Sequence, residues 1–188
     1  SYGYSVAVTP LQLCAAYGAV ANGGVLMKPR LVQEVVANDG TVVESWGPQE
    51  VGRVMSEKSA RQLREALATV VSEKGTAKRA AVAGFRVAGK TGTADKLLPD
   101  GRGYYKDRNV VSFVGMLPAE DPAFVCVVVI DDPRTEKVKL YGGTIGAPIF
   151  ARVASRVASY LNLPPTEPVE STAPDGEDNL LASQPETP

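Results

Sequence analysis

Histidine is absent from all 188 residues. This excludes serine–histidine–aspartate and cysteine–histidine catalysis inside the chain, and also zinc sites built on imidazole. Cysteine is scarce: Cys14 falls in an apolar helical pattern and Cys126 in an apolar strand pattern. Both are expected as unpaired core thiols, so they do not report a redox compartment. No apolar run approaches the roughly 18 residues of a membrane span. The one tryptophan, Trp46, has no polar cluster beside it in sequence and is expected to pack. Excess charge is also missing, since 20 basic and 21 acidic residues leave −1. Nothing in that balance argues for nucleic acid. The chain opens on Ser1 rather than Met, so an anchor or leader is expected on preceding sequence.

The charge that is present is unevenly placed. Residues 166–188 carry Glu167, Glu170, Asp175, Glu177, Asp178 and Glu186, four prolines and no Lys or Arg. The rest of the chain keeps 20 bases against 15 acids. A mildly basic body suits an anionic ligand. The acidic, Pro-rich stretch from 164 to 188 is expected to be a disordered, solvated tail. Residues 1–163 are expected to form one folded unit.

Local signals place the elements of that unit. Thr9, Pro10 and Gln12 form a capping box with Pro at the first helical position. The helix that follows is apolar nearly all round and should be buried. Asn38-Asp39-Gly40 between apolar runs marks a hairpin. Ser56 caps an amphipathic helix whose apolar face is Ala60, Leu63, Leu67, Val70 and Val71, with Gly75 as its stop. Strands are expected at 85–93, 110–117 and 123–131, with a loop over 94–109. The short link at Pro118–Pro122 forces antiparallel pairing, since a parallel crossover needs about a dozen residues. Asp131 and Asp132 are expected to serve a turn rather than a metal. A last helix, with Ile149, Phe150, Val153, Ala154, Val157, Ala158 and Leu161 as its stripe, should cover one face of the sheet. The predicted class is α+β, an antiparallel sheet covered by helices.

Chemistry concentrates at Gly89-Lys90-Thr91-Gly92-Thr93, at the end of a strand-like stretch from Phe85. An ammonium and two hydroxyls supply donors for an anionic or carbonyl-bearing ligand. Glycine there allows another backbone to approach closely. Tyr104 and Tyr105, in the expected loop, either line a groove or pack the loop. Gly84 to Thr91 also spells G-x-x-x-x-G-K-T, and Val127–Asp131 imitates the apolar strand ending in an acid that accompanies such phosphate loops. That reading needs a helix to begin at Lys90. The Gly and Pro residues that follow Thr91 break one.

Lys-Thr-Gly is one of the motifs of penicillin-binding proteins and related lactamases. In order along the chain come Gly3-Tyr4 through Val8-Thr9-Pro10-Leu11-Gln12-Leu13, Ala21-Asn22-Gly23-Gly24 and Gly75-Thr76-Ala77. Then follow Gly89 to Ala94, Ser112-Phe113-Val114-Gly115 with Pro118, and Gly142-Gly143-Thr144 with Ala147-Pro148-Ile149-Phe150. This series, over residues 1–163, resembles the C-terminal part of the transpeptidase domain of class B penicillin-binding proteins. The resemblance implies the C-terminal portion of the penicillin-binding protein/serine β-lactamase-like fold. It implies a peptidoglycan D,D-transpeptidase, in which a serine attacks the penultimate D-Ala carbonyl of a stem peptide and an amine resolves the acyl-enzyme. By this resemblance Lys90 and Thr91 match the carboxylate-binding motif. Thr93 matches the residue whose N–H is half of the oxyanion hole. A strand edge at 91–94 could pair with a substrate backbone. The implied partners are stem peptides, β-lactam antibiotics, the upstream part of the same domain and a cell-wall synthesis complex, with no cofactor. The implied place is the extracytoplasmic face of the inner membrane in a bacterial envelope.

One departure matters. No serine here has Lys three positions on or Asn two positions on, so the family's S-x-x-K and S-x-N motifs are absent. They are expected on preceding sequence, and this chain alone is expected to be inactive. A non-catalytic binding module, a serine β-lactamase relative and a P-loop NTPase remain as alternatives.

Overall fold

The computed structural model describes residues 6–135 and 139–168. In chain order it contains helix α1 (Pro10–Ala21), strands β1 (Val25–Met27), β2 (Glu34–Val36), β3 (Val42–Ser45) and β4 (Glu50–Arg53), and helix α2 (Glu57–Ala68). Strands β5 (Ala88–Leu97), β6 (Tyr104–Leu117) and β7 (Phe124–Asp131) follow, then helix α3 (Ala147–Tyr160). The three long strands make one antiparallel sheet in the order β5-β6-β7. The short ones pair as two small antiparallel ribbons, β1 with β4 and β2 with β3.

Alternation along β6 sets the layers, because successive side chains of a strand point to opposite faces. Phe113 and Leu117 join Val87, Ala147, Phe150, Ala154 and Ala158 in one core cluster, under α3. Met116 joins Val20, Leu67, Ala68 and Ala88 in a second, where α1 and α2 lie on the other face. The result is helix, sheet, helix. Gly115 makes room in the first cluster. A Cβ there would stand 2.6 Å from the Phe150 ring, and that ring meets Phe113 in a tilted contact with centroids 5.1 Å apart.

The caps fold as the sequence predicts. Thr9 and Gln12 exchange side-chain bonds with each other's backbone at the start of α1. Ser56 accepts from the Ser59 N–H at the start of α2. The Asp39-Gly40 turn joins β2 to β3, with the Asp39 carboxylate accepting from the Thr41 N–H. That bond is the main reason its carboxyl titrates below the usual carboxylate range.

Four expectations need correction. Residues 94–109 are not a loop of sixteen: β5 runs on to Leu97 and β6 begins at Tyr104, so the two make a long hairpin. Its strands carry Asp95, Lys96, Lys106, Asp107, Arg108 and Asn109, a polar run with no apolar alternation to read. Helix α1 is apolar but not buried within this chain. Only Ala19 and Val20 are fully buried, and Leu11 is 59% exposed. Helix α2 stops at Ala68, where β-branched Thr69-Val70-Val71 tighten into a 3-10 turn. Gly75 serves a close approach instead, since a Cβ there would lie 2.1 Å from the Val70 carbonyl oxygen. Trp46 is half-exposed, beside Lys28, Arg30 and Gln49, and its carbonyl accepts from Arg30.

The presumed tail begins in contact with the body. The N–H groups of Thr166 and Glu167 both donate to the Gly84 carbonyl, at 2.8 and 3.0 Å. The expectation of disorder falls, for residues 169–188, outside the described residues.

Candidate active site

Strand β5 is an edge strand, and Lys90 to Thr93 lie on it. The strand continues without a break past Thr91, so no helix starts at Lys90 and phosphate has no N-terminal amides to sit on. The sheet is antiparallel as well. Together these remove the P-loop reading. Lys90 and Thr93 are exposed, and Thr91 and Gly92 are half-buried, so the tetrad is at the surface.

Each residue of the tetrad is held differently. The Lys90 ammonium donates to the Thr91 carbonyl at 2.9 Å. The Thr91 hydroxyl lies 3.3 Å from that of Thr76, and the Thr93 hydroxyl accepts from the Gly142 N–H at 3.3 Å. Gly92 pairs with Ser112 on β6, and a Cβ on Gly92 would fall 2.4 Å from the Ser112 hydroxyl oxygen. Period two puts Lys90 and Gly92 on one face of the strand and Thr91 and Thr93 on the other. A ligand touched by both Lys90 and Thr91 must therefore lie along the free edge of β5.

The turn before α3 forms a seat for this strand. Residues Gly142–Gly146 make a wide π-helical turn that runs directly into α3. A Cβ on Gly142 would stand 2.2 Å from the Ser112 carbonyl oxygen and 2.8 Å from that of Gly92. One on Gly143 would stand 2.0 Å from the Thr76 carbonyl oxygen. Main chain thus packs on main chain from four distant stretches, at residues 76, 92, 112 and 142–143. Thr76, Ser112 and Gly142 were not among the predicted site residues. The signal for all three was the motif series, which contains Gly75-Thr76-Ala77, Ser112-Phe113-Val114-Gly115 and Gly142-Gly143-Thr144.

Tyr104 and Tyr105 are not part of this cluster. Tyr104 pairs with Leu97 at the far end of the hairpin, seven residues along β5 from Lys90 and therefore roughly 20 Å away. Tyr105 lies under the Arg108 guanidinium, 4.7 Å from ring centroid to charge. Asp131 and Asp132 work in the same region as ion-pair partners. Lys96 meets Asp131 at 2.8 Å, and Arg108 meets Asp132 at 2.6 Å with Arg134 at 3.5 Å. The Arg108 hydrogen bond is the main cause that holds the Asp132 carboxyl below its ordinary range, with Arg134 adding to it. No group of three or more acids and thiols suited to a metal occurs among the described residues.

The two thiols sit on facing elements, Cys14 on α1 and Cys126 on β7, both half-buried and free. Burial chiefly, and the nearby Cys14 in addition, push the Cys126 thiol up.

The site is thus an edge strand bearing Lys-Thr-Gly-Thr, seated on a Gly-Gly turn and backed by a helix–sheet–helix sandwich. The family model for the penicillin-binding protein transpeptidase domain matches residues 1–155. The chain belongs to that family. It is 38% identical over 168 residues to penicillin-binding protein PbpB of Mycolicibacterium smegmatis, which covers 86% of this chain and 26% of that protein. It is 34% identical over 173 residues to the probable peptidoglycan D,D-transpeptidase PenA of Neisseria flavescens, covering 92% of this chain and 40% of the other. Among solved structures, penicillin-binding protein 3 of Mycobacterium tuberculosis complexed with ampicillin superposes with a TM-score of 0.73. That match has 30% identity and covers 89% of this chain and 39% of that one. The chain thus spans less than half the length of each of these relatives.

Proposed function

We propose that this chain is the substrate-ledge part of a peptidoglycan D,D-transpeptidase that cross-links stem peptides in the bacterial cell wall. The observation that carries this reading is the surface-exposed Lys90–Thr93 segment on the free edge of β5, braced by Thr76, Ser112 and Gly142. In this reading the Lys90 ammonium and Thr91 hydroxyl receive the terminal carboxylate of the stem peptide. A charge-assisted donor suits that ion. The Thr93 N–H polarises the carbonyl under attack, as one donor of an oxyanion hole. The peptide lies along β5 as an added strand. The nucleophilic serine and its lysine belong to a stretch outside residues 1–188, since neither motif is present here. The serine's oxygen attacks the penultimate D-Ala carbonyl, the terminal D-Ala leaves as an amine, and a neighbouring strand's amine then displaces the serine.

β-Lactams take the same ledge in this reading. The ampicillin complex of the Mycobacterium tuberculosis relative and the name of penicillin-binding protein PbpB support β-lactam binding, and the name of PenA supports the transpeptidase reading. The intact protein acts on the extracytoplasmic side of the inner membrane, within the machinery of wall synthesis. Labelling with a fluorescent penicillin tests the proposal. The intact protein should take the label covalently on a serine outside these residues, and the 188-residue chain alone should not. A label on the short chain, or none on the intact protein, sinks it.

A further inference from the structure

Strand β5 offers its free edge for longer than the Lys-Thr-Gly-Thr segment needs. Its ladder with β6 keeps a regular register from Ala88 through Asp95 and shifts only between Asp95 and Leu97. Period two puts Asp95 on the same face as Thr91 and Thr93, two residues and roughly 7 Å beyond Thr93. Asp95 is exposed. Asn109, its partner across the ladder, donates a side-chain N–H to Asp95 Oδ1 at 3.2 Å, which orients the carboxylate. Lys96 points to the opposite face and is held by Asp131 at 2.8 Å. The face that carries the Thr91 and Thr93 hydroxyls therefore ends on an acid.

The donor strand of the reaction proposed above carries a matching group. In that reaction a neighbouring strand's amine displaces the serine. Alanine has no side-chain amine, so the amine belongs to a residue N-terminal to the D-Ala pair. Donor and acceptor are copies of one stem peptide, so the donor brings the same amine to β5. Its terminal carboxylate is at Lys90 and Thr91, and its penultimate carbonyl is at the Thr93 N–H. Its N-terminal side then runs toward Asp95. The residue before the D-Ala pair lies one step, about 3.4 Å, past the level of Thr93, and a side chain of a few carbons spans the rest.

We propose, on that transpeptidase reading, that Asp95 selects the donor strand by pairing with the side-chain ammonium of the residue before its D-Ala pair. The substrate class is a stem peptide with a free diamino-acid amine at that place, and Asn109 positions the carboxylate that reads it. The pair is exposed, and an exposed ion pair supports a preference of about fivefold.

Release of D-Ala by the intact protein tests this. The probes are three synthetic stem peptides whose diamino acid is free, acetylated or succinylated at its side-chain amine. The ratio kcat/KM for D-Ala release covers only the steps up to acylation, so the amine's part as acceptor does not enter. The wild-type protein should favour the free peptide over the acetylated one about fivefold. In Asp95→Asn that preference should fall to about one. In Asp95→Lys the order should reverse, with the succinylated peptide ahead of the free one. A merely structural role for Asp95 would slow all three peptides alike, without reversal, and overturns the proposal. Labelling with fluorescent penicillin runs in parallel. A wild-type protein that labels but turns over free and acetylated peptides equally overturns the role of Asp95 and leaves the transpeptidase reading standing. So does a preference that survives in Asp95→Asn. A wild-type protein that does not label overturns both.

Discussion

Lys90 carries the proposed chemistry and almost none of the packing. Its ammonium is exposed and bonded to its neighbour's carbonyl. Lys90→Met should therefore leave the unfolding free energy of the intact protein within about 0.5 kcal/mol. Its penicillin acylation rate should fall about a hundredfold, the cost of losing one preorganised donor. Unchanged acylation would remove Lys90 from the site. Gly115 is the opposite case. Ala in its place puts a methyl 2.6 Å from the Phe150 ring and 2.9 Å from that of Phe113, and both rings are fully buried. Gly115→Ala should cost about 1–3 kcal/mol in urea unfolding, and Phe150→Leu in the same chain should recover part of it. Cys126 offers a milder check. Burial holds its thiol protonated above the usual thiol range, so its alkylation rate should rise at higher pH than that of a free cysteine.

Among the elements, legibility followed hydrophobic pattern. The caps of α1 and α2, the Asp-Gly hairpin and strand β7 were readable because each has a local signature that tertiary packing did not override. The outer half of the β5–β6 hairpin was not readable. It stands clear of both cores, so its residues are polar on both faces and lack the alternation that marks a strand. Beyond the backbone ladder with β6, its side chains meet ion-pair partners that sequence cannot place: Lys96 with Asp131, and Arg108 and Arg134 with Asp132. The Lys-Thr-Gly run itself was legible as a motif. The segments of its seat were legible as motifs too, but not their meeting, because Thr76, Ser112 and Gly142 reach it from separate stretches. The hairpin yields an acid-dependence. The Asp132 carboxyl is depressed when folded, so its contribution is fully present above the ordinary carboxylate pKa and is lost as pH falls through the lower folded value. The thermal midpoint of the native protein should fall over that acid window, and in Asp132→Asn the fall should be shallower.

For the whole molecule, one side of the sandwich is unfinished. Strand β7 has no strand on its outer edge among the described residues, and α1 shows Leu11 to solvent. Open edges and apolar faces invite association. The 188-residue chain alone should sediment as oligomers at micromolar concentration, and the intact protein should not. A monodisperse monomer would show that this surface is tolerated in water. The Gly142–Gly143 seat has a different consequence. Mutation usually tunes a binding surface by exchanging one side chain for a slightly different one. Here the strand, the turn and residue 76 touch through peptide groups, and every replacement adds atoms where there is no room. Gradual change of ligand preference has to enter through neighbouring side chains, and this joint should remain as it is while they vary.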